Sequence, residues 1–366
     1  MKHFKFYNKQ DVLYHTKIRR FETKLGEEIH CADTGNDLEK ILSDSRCRYV
    51  IFGIPEDIGV RANEGVGGTD SIWTPFLSAF LNIQSNDFFG GSDILLLGHF
   101  DFGDIKFLIE QNAHGHQEKL DAYRHAVMVI DDEVEALVKL ITTSNKIPIA
   151  IGGGHNNAYP LIKGSAKGLH KMGLIPLAQI NALNLDAHSD FRPIEGRHSG
   201  NGFRYAEEDG YLEKYCIIGL HENYLPQNIW LDIANNPFMD FITYEDIFIR
   251  EKRTFVQAVA HATSYMDDNF TGIELDLDCI EGVLSSAETP SGISTRDARQ
   301  YVRFTATNLK CAYLHICEGA VQLSDGRKNE TTGKLITYLV TDFIKSREQI
   351  ETSEGNAQAD NRLHAF

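Results

Sequence analysis

Short apolar runs, most of them closed by glycine, proline or an acidic residue, recur along the chain from about residue 48. Runs of this length and composition are typical of strands that are buried on both faces of a sheet. We predict strands at residues 49–55, 93–98, 146–151, 180–185, 216–220, 272–276 and 312–316.

One longer segment, between residues 119 and 144, has the periodicity of a helix. Its apolar residues repeat at spacings of three and four, at Val127, Ile130, Val134, Leu137, Val138 and Ile141. Helical and strand-like segments alternate along the rest of the chain, which predicts a mostly parallel sheet with helices on both faces. The predicted fold class is therefore α/β.

The 366 residues divide into three predicted regions. Residues 1–45 show mixed charge and no clean period, so we expect an arm of unknown role beside the main domain. Residues 46–350 contain every predicted strand and form that domain. Residues 351–366 are polar, and we expect a disordered tail there.

Composition and charge argue against several classes of protein. The net charge is −16, so the chain lacks the excess of positive charge that binds a phosphate backbone, and we expect no nucleic-acid partner. No apolar run approaches the roughly 18–20 residues of a membrane helix, and residues 1–6 lack the apolar core of a signal peptide. We expect a soluble, cytoplasmic protein. The six cysteines include no C-x-x-C pair, which argues against a disulfide scaffold and a thiolate zinc site.

Metal-ligand side chains follow three of the predicted strands. The carboxyl ends of parallel strands gather functional groups at one edge of the sheet, and alternate residues of an extended chain point the same way. The candidate ligands are His155, Asp186, His188, Asp190, Asp276 and Asp278. Two imidazoles and four carboxylates suit Mn(II) or a related divalent ion, and two such ions would balance the four negative charges.

Each motif alone has a simpler explanation. An aspartate at a strand end is often the N-cap of the next helix, and a single histidine beside glycines is often structural. A phosphate cradle at Gly152–Gly154 is excluded, because no Lys-Ser or Lys-Thr pair follows and no G-x-G-x-x-G motif is completed. The three motifs together favour a metal site with two ions.

The same motifs resemble the three metal-binding signatures of the arginase/agmatinase/formimidoylglutamase family. They are Gly-Gly-Gly-His155, residues 184–190 and residues 274–278, with supporting resemblance at residues 53–55 and 98–104. The resemblance implies a three-layer α/β/α domain, two Mn(II) ions per subunit held by the six candidate ligands, and a homo-oligomer, either a trimer or a hexamer. It also implies hydrolysis of a C–N bond in a small amidine or guanidino substrate, with Asp190 passing a proton to the departing amine.

Three details are similar to formimidoylglutamases rather than arginases. Gly154 stands where arginases and agmatinases usually have aspartate, and Arg192 follows a candidate ligand by two residues. Phe203 falls where arginases place a proton-shuttling histidine. The resemblance therefore implies hydrolysis of N-formimidoyl-L-glutamate to L-glutamate and formamide, a step of histidine degradation.

A substrate with two carboxylates needs cations and hydrogen-bond donors near the metals. We expect Arg192, Arg197 and Arg204 to provide the cations and hydrogen-bond donors, with Ser199 and Asn201 binding the α-carboxylate. Surface charge without a function remains an alternative for each arginine.

Three further residues are candidates for the rest of the site. Asp297 or Glu318 could hold the positive amidine, although an ordinary helix-start acid is an equal explanation for Asp297. His198 could replace the missing shuttle, and its alternative is a loop histidine with no function. The segment 280–290 lacks the prolines that are usual in the family, and Glu274 stands where serine is common.

Two other functions stay open. A hydrolase of agmatine, arginine or guanidinobutyrate would use the same metal chemistry and release urea. The protein could also be a metal-binding family member that has lost catalysis because residues 280–290 are altered. Such a member would serve as an assembly or regulatory subunit.

Overall fold

A computed structural model of the chain describes residues 1–32 and 37–363, with side chains described up to residue 348. Within these residues, ten strands form one sheet in the order β1-β4-β3-β5-β10-β9-β6-β7-β8, with β2 paired to β4. Only β1 runs antiparallel to its neighbour in this described part of the chain. The strands are β1 Phe4–Phe6, β2 His30–Cys31, β3 Tyr49–Gly53, β4 Ile94–Phe100, β5 Ile147–Ile151, β6 Ile180–Leu185, β7 Leu212–Leu220, β8 Met239–Thr243, β9 Thr271–Asp276 and β10 Cys311–Cys317.

Helices cover both faces of the sheet, as predicted. The described helices are α1 Lys9–Tyr14, α2 Leu25–Glu28, α3 Leu38–Asp44, α4 Ile58–Ala62, α5 Trp73–Phe80, α6 Gly103–Asn112, α7 His116–Thr143, α8 Ala158–Lys171, α9 Gly202–Glu208, α10 Gln227–Ala234, α11 Phe255–Tyr265, α12 Thr295–Asn308 and α13 Thr332–Leu363, with a π-helical turn at Glu245–Ile249. The periodic segment predicted at residues 119–144 is α7.

Alternation along the central strands separates two hydrophobic cores. Tyr49 and Ile51 of β3 point into one core with residues of α5, α11, α12 and α13, whereas Val50 and Phe52 point into the other with residues of α7, α8 and α9. The sequence of a strand that is buried on both faces is a continuous apolar run, which explains why the central strands could be predicted. The three-layer α/β/α architecture is confirmed.

The seven predicted strands are all present, and three short strands were missed. The missed strands are β1, β2 and β8, which lie at or beside the edges of the sheet. Their residues are only partly buried, so they lack the apolar run on which the prediction relied.

Both predicted terminal regions contain regular structure. Within residues 1–45, β1 and β2 both pair with β4, so this region extends the main sheet. The backbone of α13 runs to Leu363, where the polar composition of residues 351–366 predicts a disordered tail. Side chains from residue 349 onward and residues 364–366 lie outside the described residues, so the division into regions stays a prediction.

In the part of the chain that the structure describes, none of the helices combines the length and the apolar character that a membrane span requires.

Candidate metal centre

The sheet order brings the three predicted ligand motifs together. Strands β5, β10, β9 and β6 are successive parallel neighbours, and the motifs follow β5, β6 and β9. Their carboxyl ends therefore meet at one edge of the sheet, with the end of β10 between two of them. This is the edge where open parallel sheets place their functional groups.

A glycine turn delivers His155 to this edge. Gly152 and Gly153 adopt φ angles of +90° and +78°, which favour glycine, and His155 then begins a single 3₁₀ turn. A Cβ on Gly154 would lie 2.5 Å from Asn156 Oδ1 and 3.3 Å from Glu318 Oε1. A larger residue at the Gly154 position would therefore require the side chain of Asn156 to move.

Four predicted ligands form a first group around His155. Its Nδ1 lies 2.7 Å from an oxygen of Asp190, 3.1 Å from one of Asp276 and 3.2 Å from one of Asp186. Despite these distances, Nδ1 has no hydrogen-bond partner of acceptable geometry among the described residues. A buried imidazole nitrogen that faces three carboxylate oxygens without a hydrogen bond fits a set of ligands around a cation.

Asp186, His188 and Asp278 form a second group. His188 Nδ1 lies 3.0 Å from Asp278 Oδ2 and 3.7 Å from Asp186 Oδ1. Asp278 Oδ1 is also buried without a hydrogen-bond partner in the described structure. Asp186 belongs to both groups, so one carboxylate could bridge two ions.

Backbone hydrogen bonds orient the shared carboxylates. The amide of His188 donates to Asp186 Oδ1 at 2.7 Å, and the amide of Asp278 donates to Asp276 Oδ1 at 2.8 Å. Asn184 Nδ2 donates to the other oxygen of Asp186 at 2.9 Å. These bonds fix the carboxylates and leave oxygens directed at the histidines.

The clustered acids oppose one another's ionisation. Burial, together with Asp278 and Asp186, raises the pKa of Asp276 well above its usual value, and burial and Asp186 raise the pKa of Asp190 to about 6. Burial opposes protonation of His188, but Asp278 and Asp186 raise its pKa well above the usual value. Without a cation, bound protons reduce the repulsion among these acids, and divalent ions would displace the protons on binding. The donor set fits Mn(II) or a similar ion.

The two groups lie at the base of a cavity of about 500 Å³. Four of the candidate ligands line this cavity, namely His188, Asp190, Asp276 and Asp278. The other two, His155 and Asp186, are fully buried and lie outside the lining. Three of the predicted substrate-binding residues also line it, namely Arg192, Ser199 and Glu318.

Arg192 is held at the cavity wall by two partners. Its guanidinium donates to Asn63 Oδ1 at 2.9 Å and lies 3.0 Å from Glu195 Oε1. Asn63 also donates to Ser199 Oγ at 3.3 Å, so one amide links the two predicted substrate-binding residues.

Glu318 lies where the end of β10 meets the first group. Its Oε1 accepts a hydrogen bond from the backbone amide of His155 at 2.9 Å, and its φ angle is +60°. Asp190 also has a positive φ, of +45°. Left-handed backbone in residues other than glycine is costly and clusters at functional sites. Burial raises the pKa of Glu318 to about 8, and a cationic amidine beside it would favour the ionised form.

Arg197 and Asn201 do not line the cavity, contrary to the sequence prediction. Arg197 is buried and donates to both oxygens of Asp131, at 2.8 and 3.2 Å, and to Asn201 Oδ1 at 2.9 Å. The predicted third arginine, Arg204, pairs with Asp232. These side chains are occupied in holding the loop and the adjacent helices.

His198 and Asp297 also differ from their predicted roles. His198 is buried outside the cavity lining, where Nδ1 accepts from the amide of Gly200 at 3.1 Å and Nε2 lies 3.2 Å from Glu195 Oε1. Burial and the nearby arginines lower its pKa to about 3, so it is poorly suited to shuttle protons. Asp297 is partly buried in the first turn of α12, where it accepts a hydrogen bond from the hydroxyl of the capping residue Ser294 at 2.6 Å. This geometry agrees with the helix-start explanation for Asp297.

Sequence reasoning missed Glu56, which organises the glycine turn. This buried carboxylate accepts from the amide of Gly154 at 3.0 Å and from Asn157 Nδ2 at 2.8 Å. It follows the end of β3, which is the neighbour of β5, so an acid directly after a buried run was the available signal. Asn63 was missed because a polar loop residue without periodicity gives no comparable signal.

The family model described as "Arginase family" matches residues 47–344. The chain belongs to the arginase family. It is 26% identical over 241 residues to a formimidoylglutamase of Streptococcus gordonii, covering 63% of this chain and 64% of the relative. The same identity and coverage relate it, over 240 residues, to a formimidoylglutamase of Streptococcus pyogenes serotype M6. The chain thus spans slightly less than two thirds of the length of these curated relatives.

Solved structures of this arginase-family fold include similar chains. The formimidoylglutamase of Bacillus subtilis superposes with a TM-score of 0.65 at 17% identity, covering 91% of this chain and 94% of that one. A Trypanosoma cruzi formiminoglutamase with Mn²⁺ has a TM-score of 0.65 at 16% identity, covering 89% and 98%. The agmatine ureohydrolase of Thermoplasma volcanium has a TM-score of 0.61 at 19% identity, covering 90% and 96%. The predicted family and fold are confirmed.

Proposed function

We propose that this protein is a manganese-dependent hydrolase that converts N-formimidoyl-L-glutamate and water into L-glutamate and formamide. The observation that carries the proposal is the meeting of all six candidate ligands in two groups that share Asp186, directly below an open cavity. The names of the curated relatives support the choice of substrate.

Two Mn(II) ions would be held by the two groups. His155, Asp186, Asp190 and Asp276 would bind one ion, and Asp186, His188 and Asp278 the other. A pair of bound Mn(II) ions lowers the pKa of water enough to provide hydroxide near neutral pH. In the overall reaction, the amidine carbon gains oxygen and becomes formamide, the bond to the glutamate nitrogen breaks, and that nitrogen gains a proton.

Asp190 is placed to move that proton. It belongs to the first group and also lines the cavity, so its carboxyl would face both the site of attack and the bound substrate. We assign to Asp190 the transfer of a proton to the departing glutamate nitrogen. His198 takes no part in this assignment, because both of its ring nitrogens are engaged outside the cavity lining.

The cavity offers one arginine for the substrate's carboxylates. Arg192 would bind one carboxylate, with Ser199 beside it, and Glu318 would face the positive amidine. Because Arg197 and Arg204 are committed to acidic partners, a second carboxylate would meet neutral donors such as Tyr224 and Asn228.

One observation favours a second candidate, hydrolysis of a guanidino amino acid with release of urea. Arg192 and Glu195 lie side by side in the cavity wall, and such a pair matches the carboxylate and the ammonium of a free amino-acid group. N-formimidoyl-L-glutamate lacks a free ammonium, because its amino nitrogen is part of the amidine.

Assembly as a trimer or hexamer and a cytoplasmic location remain proposals drawn from the family resemblance and the sequence. Light scattering of the purified protein would measure the assembly.

Product identity tests the proposed reaction. The Mn(II)-reconstituted protein would be incubated with N-formimidoyl-L-glutamate and, in parallel, with arginine, agmatine and guanidinobutyrate, while formamide and urea are measured. Formamide alone supports the proposal, and urea alone favours the second candidate. Full Mn(II) binding with no product from any substrate would instead indicate the non-catalytic family member.

A further inference from the structure

Glu274 is a fully buried carboxylate beside the first ligand group, outside the lining of the cavity. It lies on β9 two residues before Asp276, at the position where the resembling family commonly has serine. A buried carboxylate is costly unless it is hydrogen-bonded, so its partners indicate what it does.

Two side chains of β10 hold Glu274 firmly. The hydroxyl of Tyr313 donates to Oε1 at 2.6 Å, and His315 Nδ1 lies 2.6 Å from Oε2. All three side chains are fully buried. Glu274 and His315 are direct partners in the sheet register, so the backbone fixes their separation.

Gly272 makes the contact with Tyr313 possible. It precedes Glu274 by two residues on the same face of β9, and a Cβ there would lie 2.4 Å from the hydroxyl oxygen of Tyr313. The missing side chain leaves room for the tyrosine ring to reach across to Glu274. The arrangement thus depends on a specific set of residues on two neighbouring strands.

The third neighbour of Glu274 is the candidate ligand His155. Nδ1 of His155 faces the carboxylates of the first group, whereas Nε2 lies 3.4 Å from Glu274 Oε2. Like Nδ1, Nε2 is buried without a hydrogen bond of acceptable geometry among the described residues, and Glu274 is the carboxylate beside it. The two nitrogens of an imidazole are coupled, because the partner of one decides where the proton resides and which nitrogen is free to bind a metal.

We propose that Glu274 is a positioning residue for the metal centre. With the ion bound, Glu274 would accept the Nε2 proton of His155 across this 3.4 Å contact and so keep the Nδ1 lone pair directed at the ion, while Tyr313 and His315 hold the carboxylate in place. This inference rests on the proposed function, since His155 acts as a ligand only there. Glu274 itself binds neither ion nor substrate.

A competing assignment would place a separate ion between His155, His315 and Cys317, which form a third buried group. That assignment predicts that Cys317 matters for metal binding. Positioning by Glu274 predicts that it does not, so Cys317→Ala is a matched control on the same pair of strands.

The test measures Mn(II) affinity by calorimetric titration of the metal-free protein. We expect Glu274→Ala to weaken binding at the tighter site about 10- to 100-fold, as is usual for partners of metal-bound histidines, and Glu274→Gln to have a smaller effect in the same direction. Tyr313→Phe, which loses a bond to the far oxygen, should change the affinity by only a few fold, and Cys317→Ala should leave it unchanged.

A second background separates positioning from general damage to the fold. In His155→Ala protein, Glu274→Ala should cause no additional loss of Mn(II) affinity, because the residue through which it acts is absent. Equal losses in both backgrounds, or an unchanged affinity of both Glu274 variants, would overturn the inference. If Glu274→Ala does not fold, the same cycle is run with the nearly isosteric Glu274→Gln. Absence of Mn(II) binding by the wild-type protein would overturn the proposed function as well, which distinguishes the two failures.

Discussion

Two neighbouring regions contain similar polar residues but differ in how far the protein satisfies their hydrogen bonds. One region is the set of strand ends that hold the candidate ligands, and the other is the adjacent loop at residues 192–201. At the strand ends, buried atoms such as His155 Nδ1 and Asp278 Oδ1 lack hydrogen-bond partners within the described structure. In the loop, both ring nitrogens of His198 and the guanidinium of Arg197 are engaged by the protein itself. Buried polar groups are normally satisfied, so unpartnered nitrogen and oxygen atoms that converge on one point fit ligands of a cation, whereas the satisfied side chains of the loop fit a structural role.

The same contrast exists within the loop. Arg192, unlike Arg197, is half-exposed at the cavity wall, and its partners Asn63 and Glu195 leave it accessible. The loop therefore has a buried part, which includes Arg197, and a part that faces the cavity, which includes Arg192. Substitutions of these two kinds of residue should therefore have different effects.

The largest effect is expected at the second ligand group. Asp278→Asn should reduce kcat/KM by more than about 100-fold, which exceeds the usual loss for residues that merely support a ligand, and should lower the Mn(II) content. Steady-state kinetics and metal analysis check both. Asp297→Asn is the control, because that partly buried acid lies outside the cavity lining and bonds the N-cap residue Ser294 of α12, so its substitution should leave kcat/KM unchanged. Full turnover of Asp278→Asn would contradict the two-ion site.

Arg197→Ala should damage stability rather than binding. It leaves Asp131 as a buried charge without its partner, and breaking such a pair costs about 3–5 kcal/mol of the free energy of unfolding. Denaturant unfolding measures the loss. A stable variant with a raised KM would mean that Arg197 binds substrate, as the sequence predicted.

Arg192→Ala should show the reverse behaviour. Losing a hydrogen bond to a charged group costs about 1.5–3 kcal/mol, so KM for the carboxylate substrate should rise roughly 10- to 150-fold with little change in stability. Kinetics and unfolding of the same preparation make the comparison with Arg197→Ala. Equal loss of stability in both variants would remove the distinction between them.

Per pH unit, the smallest effect concerns the pH dependence of stability at His198. Its pKa falls from an unfolded value near 6.5 to about 3 in the folded protein, so between these values the unfolded state binds the proton and the folded state does not. The free energy of unfolding should therefore decrease on acidification from pH 6.5 towards pH 3, by at most about 1.4 kcal/mol per pH unit from this group.

His198→Gln isolates that contribution, because other groups titrate equally in both proteins. The difference in unfolding free energy between wild type and His198→Gln should shrink as the pH falls. A difference that stays constant over this range would mean that His198 is protonated in the folded state, as a proton shuttle would allow.

The sequence predicted the metal ligands because their placement depends on local rules. Parallel strands that are buried on both faces appear as apolar runs, and the residues after β5, β6 and β9 must meet at one edge. The roles of Arg197 and His198 could not be predicted in this way. The partner that fixes Arg197, Asp131, lies on α7, 66 residues earlier in the chain, and no local pattern indicates that contact.

The most direct test of the account is the Mn(II) stoichiometry of wild-type and Asp186→Asn protein, measured by metal analysis after reconstitution and removal of excess ion. Asp186 belongs to both ligand groups, so the account predicts two ions per chain in the wild type and fewer than one in the variant. A wild-type protein that binds one ion or none, or an Asp186→Asn variant that keeps two, would contradict it.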